Sequence, residues 1–263
     1  MNARQTAAAI TIVAERELIR YWRDKPRIVS TLFQPLMFLF VFGSGLQQTL
    51  SRGNFGVDFL QFMYPGIIAM SVMSLAFFST ISTVWDREFG FLKEILVAPV
   101  SRTSIALGKM TGAAAIASIQ GVILLALAPF IGVRLHPLAM PNLFLLMVLL
   151  AFSIAGIGLF IASMTKTIEN FGVIMNFIVF PMFFLSGAFF PLTAVPGWMK
   201  VLTLINPLSY GVDAMRQIML APQVSASVLD TLVLRAASAD AGVLIIFAIV
   251  FLLAAVTAFD KRS

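Results

Sequence analysis

The chain has 263 residues, of which 60% are apolar and only 11% are charged, and its mean hydropathy is +0.97. Soluble domains usually carry about a quarter charged residues, so this balance excludes a soluble protein and indicates an integral membrane protein. The net charge of +6 is typical of basic cytoplasmic loops rather than of nucleic-acid binding, and a sequence without cysteine offers neither disulfides nor a thiol nucleophile.

The first predicted element is an amphipathic helix at 5–27 that lies on the membrane surface. Arg16, Arg20 and Arg23 recur at i, i+4 and i+7, so they form a basic stripe along one side of it. Anionic lipid headgroups are the natural partners of such a stripe. Glu15 and Glu17 leave open a second interpretation, in which this helix meets another protein.

Six apolar stretches follow, each long enough to cross a hydrocarbon core of about 30 Å as a helix. The predicted spans are 28–50, 59–84, 103–131, 141–164, 171–190 and 241–259. Six spans place both termini on one side, and 13 of the 18 Lys and Arg residues fall on that side. Because basic residues collect in cytoplasmic loops, both termini are predicted to be cytoplasmic.

The predicted spans contain no Asp, Glu, Arg or His, and Lys109 lies near a helix entrance from which its side chain can reach the interface. Ion-coupled transporters and selective channels normally need buried ionisable groups or a carbonyl filter, so this pattern argues against both. The sequence also has no Gly-rich phosphate loop, and its single histidine, His136, has no second ligand nearby. Neither an ATP site nor a metal site is therefore expected in this chain.

A cytoplasmic amphipathic helix is predicted over 85–102, between the second and third spans. Helical periodicity places Trp85, Phe89, Leu92 and Leu96 on an apolar side, and Asp86, Arg87, Lys93 and Glu94 on the opposite side. The helix could be an interfacial connector, or it could dock a cytoplasmic protein through its charged side. Gly90, on the solvent side, either allows close approach of another backbone or marks a bend.

The segment 191–240 on the predicted outer face is too apolar for a solvated linker. Pro191, Pro196 and Pro207 interrupt any long helix, so short re-entrant helices are predicted before the last span.

Two span faces are candidates for a substrate pathway. The second span places Tyr64, Ser71, Ser74, Phe78 and Ser82 on one face, and the fifth places Asn176, Val179, Phe180, Phe183 and Gly187 on another. Uncharged hydroxyls and aromatic rings suit an amphipathic or largely apolar substrate. Close helix packing, with Asn176 hydrogen-bonded to a neighbouring helix, explains the same residues equally well.

Taken together, these segments resemble the permease subunit of a bacterial ATP-binding-cassette exporter of the type-2 family, which includes drug-resistance and lipo-oligosaccharide export permeases. The resemblance is carried by the basic N-terminal segment, by WDREFGFLKEILVAPV after the second span, and by the outer segment around Gly187, Phe190, Pro191, Pro196, Asn206, Pro207, Tyr210 and Arg216. It implies a pair of permeases, expected to be a homodimer, bound to two separate ATPase subunits that hold ATP and Mg. It also implies a pathway between the second and fifth spans of the two copies.

The resemblance further implies that a coupling helix receives the ATPase stroke. The residues expected to carry this role are Asp86, Arg87, Glu88, Phe89, Gly90, Phe91, Leu92, Lys93, Glu94 and Pro99.

The expectation is thus an all-α, six-span permease domain over 1–263 in a bacterial cytoplasmic membrane, exporting a drug, lipid or glycolipid. An ion-coupled transporter or channel is the first alternative. A membrane-embedded lipid enzyme is the second, although no His, Asp or Glu constellation supports it.

Overall fold

The structure is a computed structural model that describes residues 3–45, 57–90 and 100–260, and every regular element within these ranges is a helix. In chain order the α-helices are α1 (Ala3–Arg23), α2 (Lys25–Gly45), α3 (Phe59–Ser79), α4 (Ile81–Glu88), α5 (Arg102–Leu127), α6 (Met140–Met164), α7 (Ile168–Phe184), α8 (Gly197–Leu204), α9 (Pro207–Leu220), α10 (Ala226–Leu232) and α11 (Ala237–Asp260). Short 3-10 turns occupy Ala128–Ile131, Pro137–Ala139 and Leu192–Ala194.

Within the described residues, four helical stretches are long and apolar enough to cross a membrane. They are Phe59–Glu88, Arg102–Ile131, Pro137–Met164 and Ala226–Phe259, and they correspond to the predicted second, third, fourth and sixth spans. The predicted fifth span corresponds to the shorter apolar helix Ile168–Phe184. α2 covers the described part of the predicted first span. The all-helical prediction is confirmed for the described residues, whereas the six-span count stays a prediction.

The core of the bundle lies around α3, which packs against α2, α5, α6 and α9. Nearly every residue of α3 is buried, including Tyr64, Ile68 and Phe77. α11 covers the far side of α6 and also contacts α5 and α9. Because α3 is apolar on all sides, it is a central helix rather than an amphipathic surface helix.

The N-terminal helix α1 packs closely against α5 instead of lying free on the surface. A side chain added at Gly108 would meet Val13 Cβ at 2.7 Å, and one added at Gly112 would meet Glu17 Cβ at 2.9 Å. Two small residues one turn apart thus allow the helices to approach closely. The predicted helix 5–27 ends earlier than expected, at Arg23, and α2 begins two residues later.

The predicted break of 191–240 into short helices is confirmed. Pro191 and Pro196 immediately precede the turn Leu192–Ala194 and α8, and Pro207 is the first residue of α9. Proline fits these positions because the first helical residues need no backbone N–H donor. Whether these helices are re-entrant stays a prediction.

Candidate functional site

The predicted helix over 85–102 is confirmed at residues 85–88, but it is not continuous, because it ends before Gly90. Residues 85–88 form the end of α4, which almost continues α3, and the next described helix starts at Arg102. Phe89 caps α4, and Gly90 follows with φ +83°, a conformation that glycine adopts without strain. Gly90 therefore terminates a helix rather than lying inside one. Phe91, Leu92, Lys93, Glu94, Leu96 and Pro99 lie outside the described residues.

The two sides of this segment are also reversed from the prediction. Asp86, predicted to face the cytoplasm, is only 2% exposed, whereas Trp85 and Phe89, predicted to anchor the segment, are 41% and 62% exposed. Helical periodicity favours apolar residues inside, but a carboxylate can be buried where cations neutralise it. The partners of Asp86 supply that compensation.

Lys109 lies at the centre of a buried cluster that joins α1, α4 and α5. Its Nζ donates to Asp86 Oδ2 at 2.9 Å, to Glu17 Oε1 at 3.1 Å and to Ser82 Oγ at 3.4 Å. Lys109 itself is 3% exposed, so the prediction that it extends to the interface is wrong. Arg16 completes this Lys109 cluster, since its Nη2 donates to Asp86 Oδ1 at 2.6 Å.

The two residues after Asp86 bind a different part of the bundle. Arg87 Nη1 donates to the carbonyl oxygen of Thr165, which follows the last residue of α6, at 2.9 Å. Glu88 Oε2 accepts from the backbone N–H of Ile168, the first residue of α7, at 2.9 Å. Three consecutive side chains at the end of α4 thus hold α1 and α5, the end of α6, and the start of α7.

The predicted basic stripe on α1 is divided between two surroundings. Arg16 belongs to the Lys109 cluster, and Arg20 lies 3.7 Å from Asp86 with its guanidinium stacked on the Trp85 ring at 5.0 Å. Arg23, by contrast, is exposed and lines an open cavity. Glu17, predicted as a contact for another protein, is buried against Lys109.

This cavity, of about 840 Å³, lies between α1, α2 and α3. Its wall also includes Trp85 on α4, Ile116 and Gln120 on α5, and Phe183 on α7. The volume is within the usual range of small-molecule sites, about 300–1,000 Å³. It is open to the surface, because Arg23, Gln34 and Trp85 line it and are exposed.

The cavity wall includes four of the five pathway candidates predicted on the second span. Ser71, Ser74 and Phe78 line it, with Ser82 one turn further along. Tyr64 does not, because it is fully buried and its hydroxyl donates to the carbonyl oxygen of Leu124 on α5. At that height the same face of α3 is covered by a neighbouring helix.

The fifth-span candidates are not brought together. Phe183 is buried and lines the cavity, whereas Asn176 and Phe180 are exposed on α7. Gly187 belongs to the turn after α7, where φ is +76° and an added Cβ would lie 2.5 Å from Leu192 Cγ. The turn therefore explains why glycine occupies position 187, and no contact with a substrate is needed to explain it.

Arg216, one of the residues of the predicted outer segment that carry the family resemblance, is fully buried in α9. Its guanidinium donates to the carbonyl oxygens of Gly187 at 2.8 Å, Ala188 at 3.3 Å and Phe62 at 3.3 Å. Burial lowers the pKa of Arg216, and the nearby Asp213 carboxylate opposes that shift. In the sequence, the signal for this buried pair was Asp213, a carboxylate three residues before Arg216 in an apolar segment.

Asp213 and Asp240 are two further buried carboxylates, at the end of the bundle that is predicted to be outer. Asp213 accepts from the backbone N–H groups of Leu234 and Arg235, while Asp240 lies 3.8 Å from the Arg235 guanidinium. In the described residues, no group of three or more His, Cys, Asp or Glu side chains could hold a metal ion.

Comparison with known proteins gives the family context. The family model for the ABC-2 type transporter matches residues 8–220. Nodulation protein J of Rhizobium meliloti (strain 1021) is 30% identical over 195 residues, which cover 73% of this chain and 74% of that protein. The putative transport permease ycf38 of Cyanophora paradoxa is 29% identical over 208 residues, covering 78% and 72%.

The inner membrane transport permease YadH of Escherichia coli (strain K12) is 27% identical over 216 residues, which cover 79% of this chain and 81% of that protein. The family match spans most of the chain, from α1 through α9, and therefore includes the Lys109 cluster, the cavity and the buried Arg216. This protein belongs to the ABC-2 type transporter family.

Proposed function

We propose that this chain is the membrane-spanning subunit of an ATP-driven exporter in a bacterial cytoplasmic membrane. A separate ATPase supplies the energy, and the cargo is a hydrophobic or amphipathic molecule. The observation that carries the proposal is the arrangement at the end of α4, where Asp86, Arg87 and Glu88 bind three different parts of the bundle immediately before residues 91–99. A displacement of that segment would reach α1, α5, α6 and α7 together.

This role can be tested by removing the two ties to residues 165–168. Arg87→Met and Glu88→Met should preserve membrane insertion and binding of the partner ATPase, while export and cargo-stimulated hydrolysis fall several-fold. Glu169→Met is the matched control, because Glu169 is an exposed carboxylate in the first turn of α7 with no hydrogen bond to α4 among the described residues. Unchanged export by both variants would refute the transmission role.

Contact with the ATPase itself is assigned to residues 91–99. Glu94→Lys should reduce recovery of the complex, since charge reversal at an interface can cost a few kcal/mol. Hydrolysis of ATP by a preparation free of any partner ATPase would contradict the division of labour between the two subunits.

A second copy of the permease is assigned to the exposed face of α7. Val173, Phe177, Phe180 and Phe184 are 60–81% exposed, and only three residues of α7 are buried within the chain. Because the chain has no cysteine, Phe177→Cys gives a clean cross-linking probe in native membranes. Disulfide-linked dimers are expected from it and not from Ile246→Cys on α11, which is similarly exposed. Equal cross-linking of both variants would contradict this interface.

An ion-coupled transporter remains the second candidate, and the structure gives it one specific observation. The buried carboxylates Asp86 and Asp240 lie just outside the predicted spans 59–84 and 241–259, but within the longer helical stretches Phe59–Glu88 and Ala226–Phe259. Both carboxylates have cations nearby, which favours structural ion pairing. Export that persists with an uncoupler at constant ATP supports the ATP-driven proposal, whereas export lost under these conditions supports ion coupling.

A further inference from the structure

The cavity between α1, α2 and α3 changes in polarity along its length. Its wall extends from Ser82 to Ile67 along α4 and α3, which corresponds to about 22 Å at 1.5 Å per residue. On α2, Arg27 lines the same end of the cavity as Ser82, and Phe38 lines the same end as Ile67. The cavity therefore spans most of the hydrocarbon thickness of a bilayer, about 30 Å, with its charged end on the predicted cytoplasmic side.

The charged end has an excess of cations. Arg20, Arg23 and Arg27 line it together with the carboxylates of Glu17 and Asp24. Glu17 is neutralised by Lys109, and Asp24 accepts from the backbone N–H of Arg27 at 3.2 Å.

One cation at this end has an unsatisfied donor. Arg27 Nη2 is enclosed and has no hydrogen-bond partner within the described part of the chain. An enclosed guanidinium nitrogen without an acceptor is costly, and a phosphate or carboxylate group supplies the acceptor that it lacks.

Above this end, the wall is first polar and then apolar. At mid-height, Gln120 donates to Ser71 Oγ and, at 2.9 Å, to the carbonyl oxygen of Thr31. The far end consists of Ile67, Phe38 and Phe183, with the two phenylalanine rings 5.7 Å apart. An acidic headgroup, a polar linkage and a hydrocarbon chain, in that order, match these three zones.

We infer that this cavity binds an anionic amphiphile, with a phosphate or carboxylate headgroup at Arg27 and its apolar chain toward Phe183, and that such molecules are the cargo. The assignment of these molecules as cargo rests on the proposed export function. The binding site itself does not depend on that function. A neutral drug leaves the Arg27 donor unsatisfied, and a free phosphate ion leaves the polar middle and the apolar far end of the cavity unfilled.

Trp85, which lines the charged end, reports binding directly. Trp22→Phe and Trp198→Phe leave it as the single tryptophan among the three in the chain. The full-length variant, in phosphatidylcholine nanodiscs, is titrated with phosphatidylglycerol brominated near its headgroup, and separately with phosphatidylcholine brominated at the same position. Quenching is expected to saturate with phosphatidylglycerol at about a tenfold lower mole fraction, as one charge-assisted hydrogen bond implies.

Arg27→Gln should abolish most of that preference. Lys25→Gln is the matched control, because Lys25 carries the same charge on the same turn of α2 and does not line the cavity. Equal quenching by both lipids, or equal effects of the two substitutions, overturns the inference. Reversal of quenching by inorganic phosphate alone also overturns it, since the site would then hold a free anion rather than an amphiphile.

Cargo status is measured separately, with the partner ATPase in proteoliposomes. ATP-dependent translocation of a short-chain fluorescent phosphatidylglycerol should exceed that of the corresponding phosphatidylcholine, and Arg27→Gln should remove the difference. Binding without preferential translocation overturns the cargo assignment. ATP-driven export of neutral amphiphiles by a protein without the binding preference overturns the inference and leaves the proposed function intact.

Discussion

Replacing Lys109 by methionine removes the cation on which the buried cluster depends. The Nζ lies 2.9 Å from Asp86 and 3.1 Å from Glu17, and all three side chains are buried. Methionine keeps a long unbranched side chain, so the main change is loss of the charge rather than a cavity. After the substitution, Arg16 and Arg20 still neutralise Asp86, whereas Glu17 has no other ion pair within 4 Å among the described residues.

The magnitude follows from these distances and from burial. At an effective dielectric constant of 20, each contact near 3 Å corresponds to about 5 kcal/mol of Coulomb energy before desolvation. Desolvation of the ions offsets much of this, and breaking a buried pair by removing one partner typically costs about 3–5 kcal/mol. We therefore expect Lys109→Met to lower the free energy of unfolding by about 3–5 kcal/mol. Glu17→Gln in the same chain should recover about 2 kcal/mol, because it removes the stranded carboxylate.

The assay is unfolding of the purified permease by SDS titration in mixed micelles, followed by circular dichroism. Lys166→Met is the matched control, since Lys166 is an exposed lysine between α6 and α7, and it should leave the transition unchanged. A Lys109→Met transition within experimental error of wild type would refute the reasoning. The reasoning would also be refuted if the double variant Lys109→Met, Glu17→Gln lost as much unfolding free energy as the two single variants together, because the charges would then act independently.

Three further predictions concern the packing around the site. Arg216→Lys should lower the yield of folded protein nearly as much as Arg216→Met, measured by gel filtration, because one ammonium cannot reach the three carbonyl oxygens that the guanidinium holds. Gly187→Ala should lower the melting temperature by several degrees while Gly172→Ala, with nothing within 4 Å, should not. Gly112→Val should displace α1 from α5 and increase proteolysis of α1, whereas Gly242→Val should not, since its added Cβ meets open space.

The positions of the second, third, fourth and sixth spans were predictable because they depend on length and hydropathy alone. The predicted boundaries 103 and 141 differ by one residue from the starts of α5 and α6. The proline positions in the outer segment were equally informative, since each precedes or begins a short helix. Local sequence determines both features, and neither depends on how the helices pack.

The charge cluster was beyond prediction for a physical reason. Glu17, Asp86 and Lys109 come from three helices, and their meeting depends on the packing of α1 against α5. Periodicity could assign Asp86 only to the side opposite Trp85, which was taken as solvent. The same limit applies to the cavity, where Ser74 and Phe78 were placed on the correct face but the height at which a neighbouring helix covers Tyr64 was not.

The use of ions at the end of α4 suits the force-transmitting junction proposed above, which must keep its geometry. Replacing a buried ion pair by well-packed apolar residues is often neutral or stabilising, so total stability does not explain why such pairs occur here. Their geometry is specific, however: Asp86 binds cations, Arg87 binds a carbonyl oxygen, and Glu88 binds a backbone N–H. A one-residue shift of α4 would break all three contacts at once, whereas an apolar face would repack at little cost. The junction therefore favours discrete positions of α4 over continuous sliding.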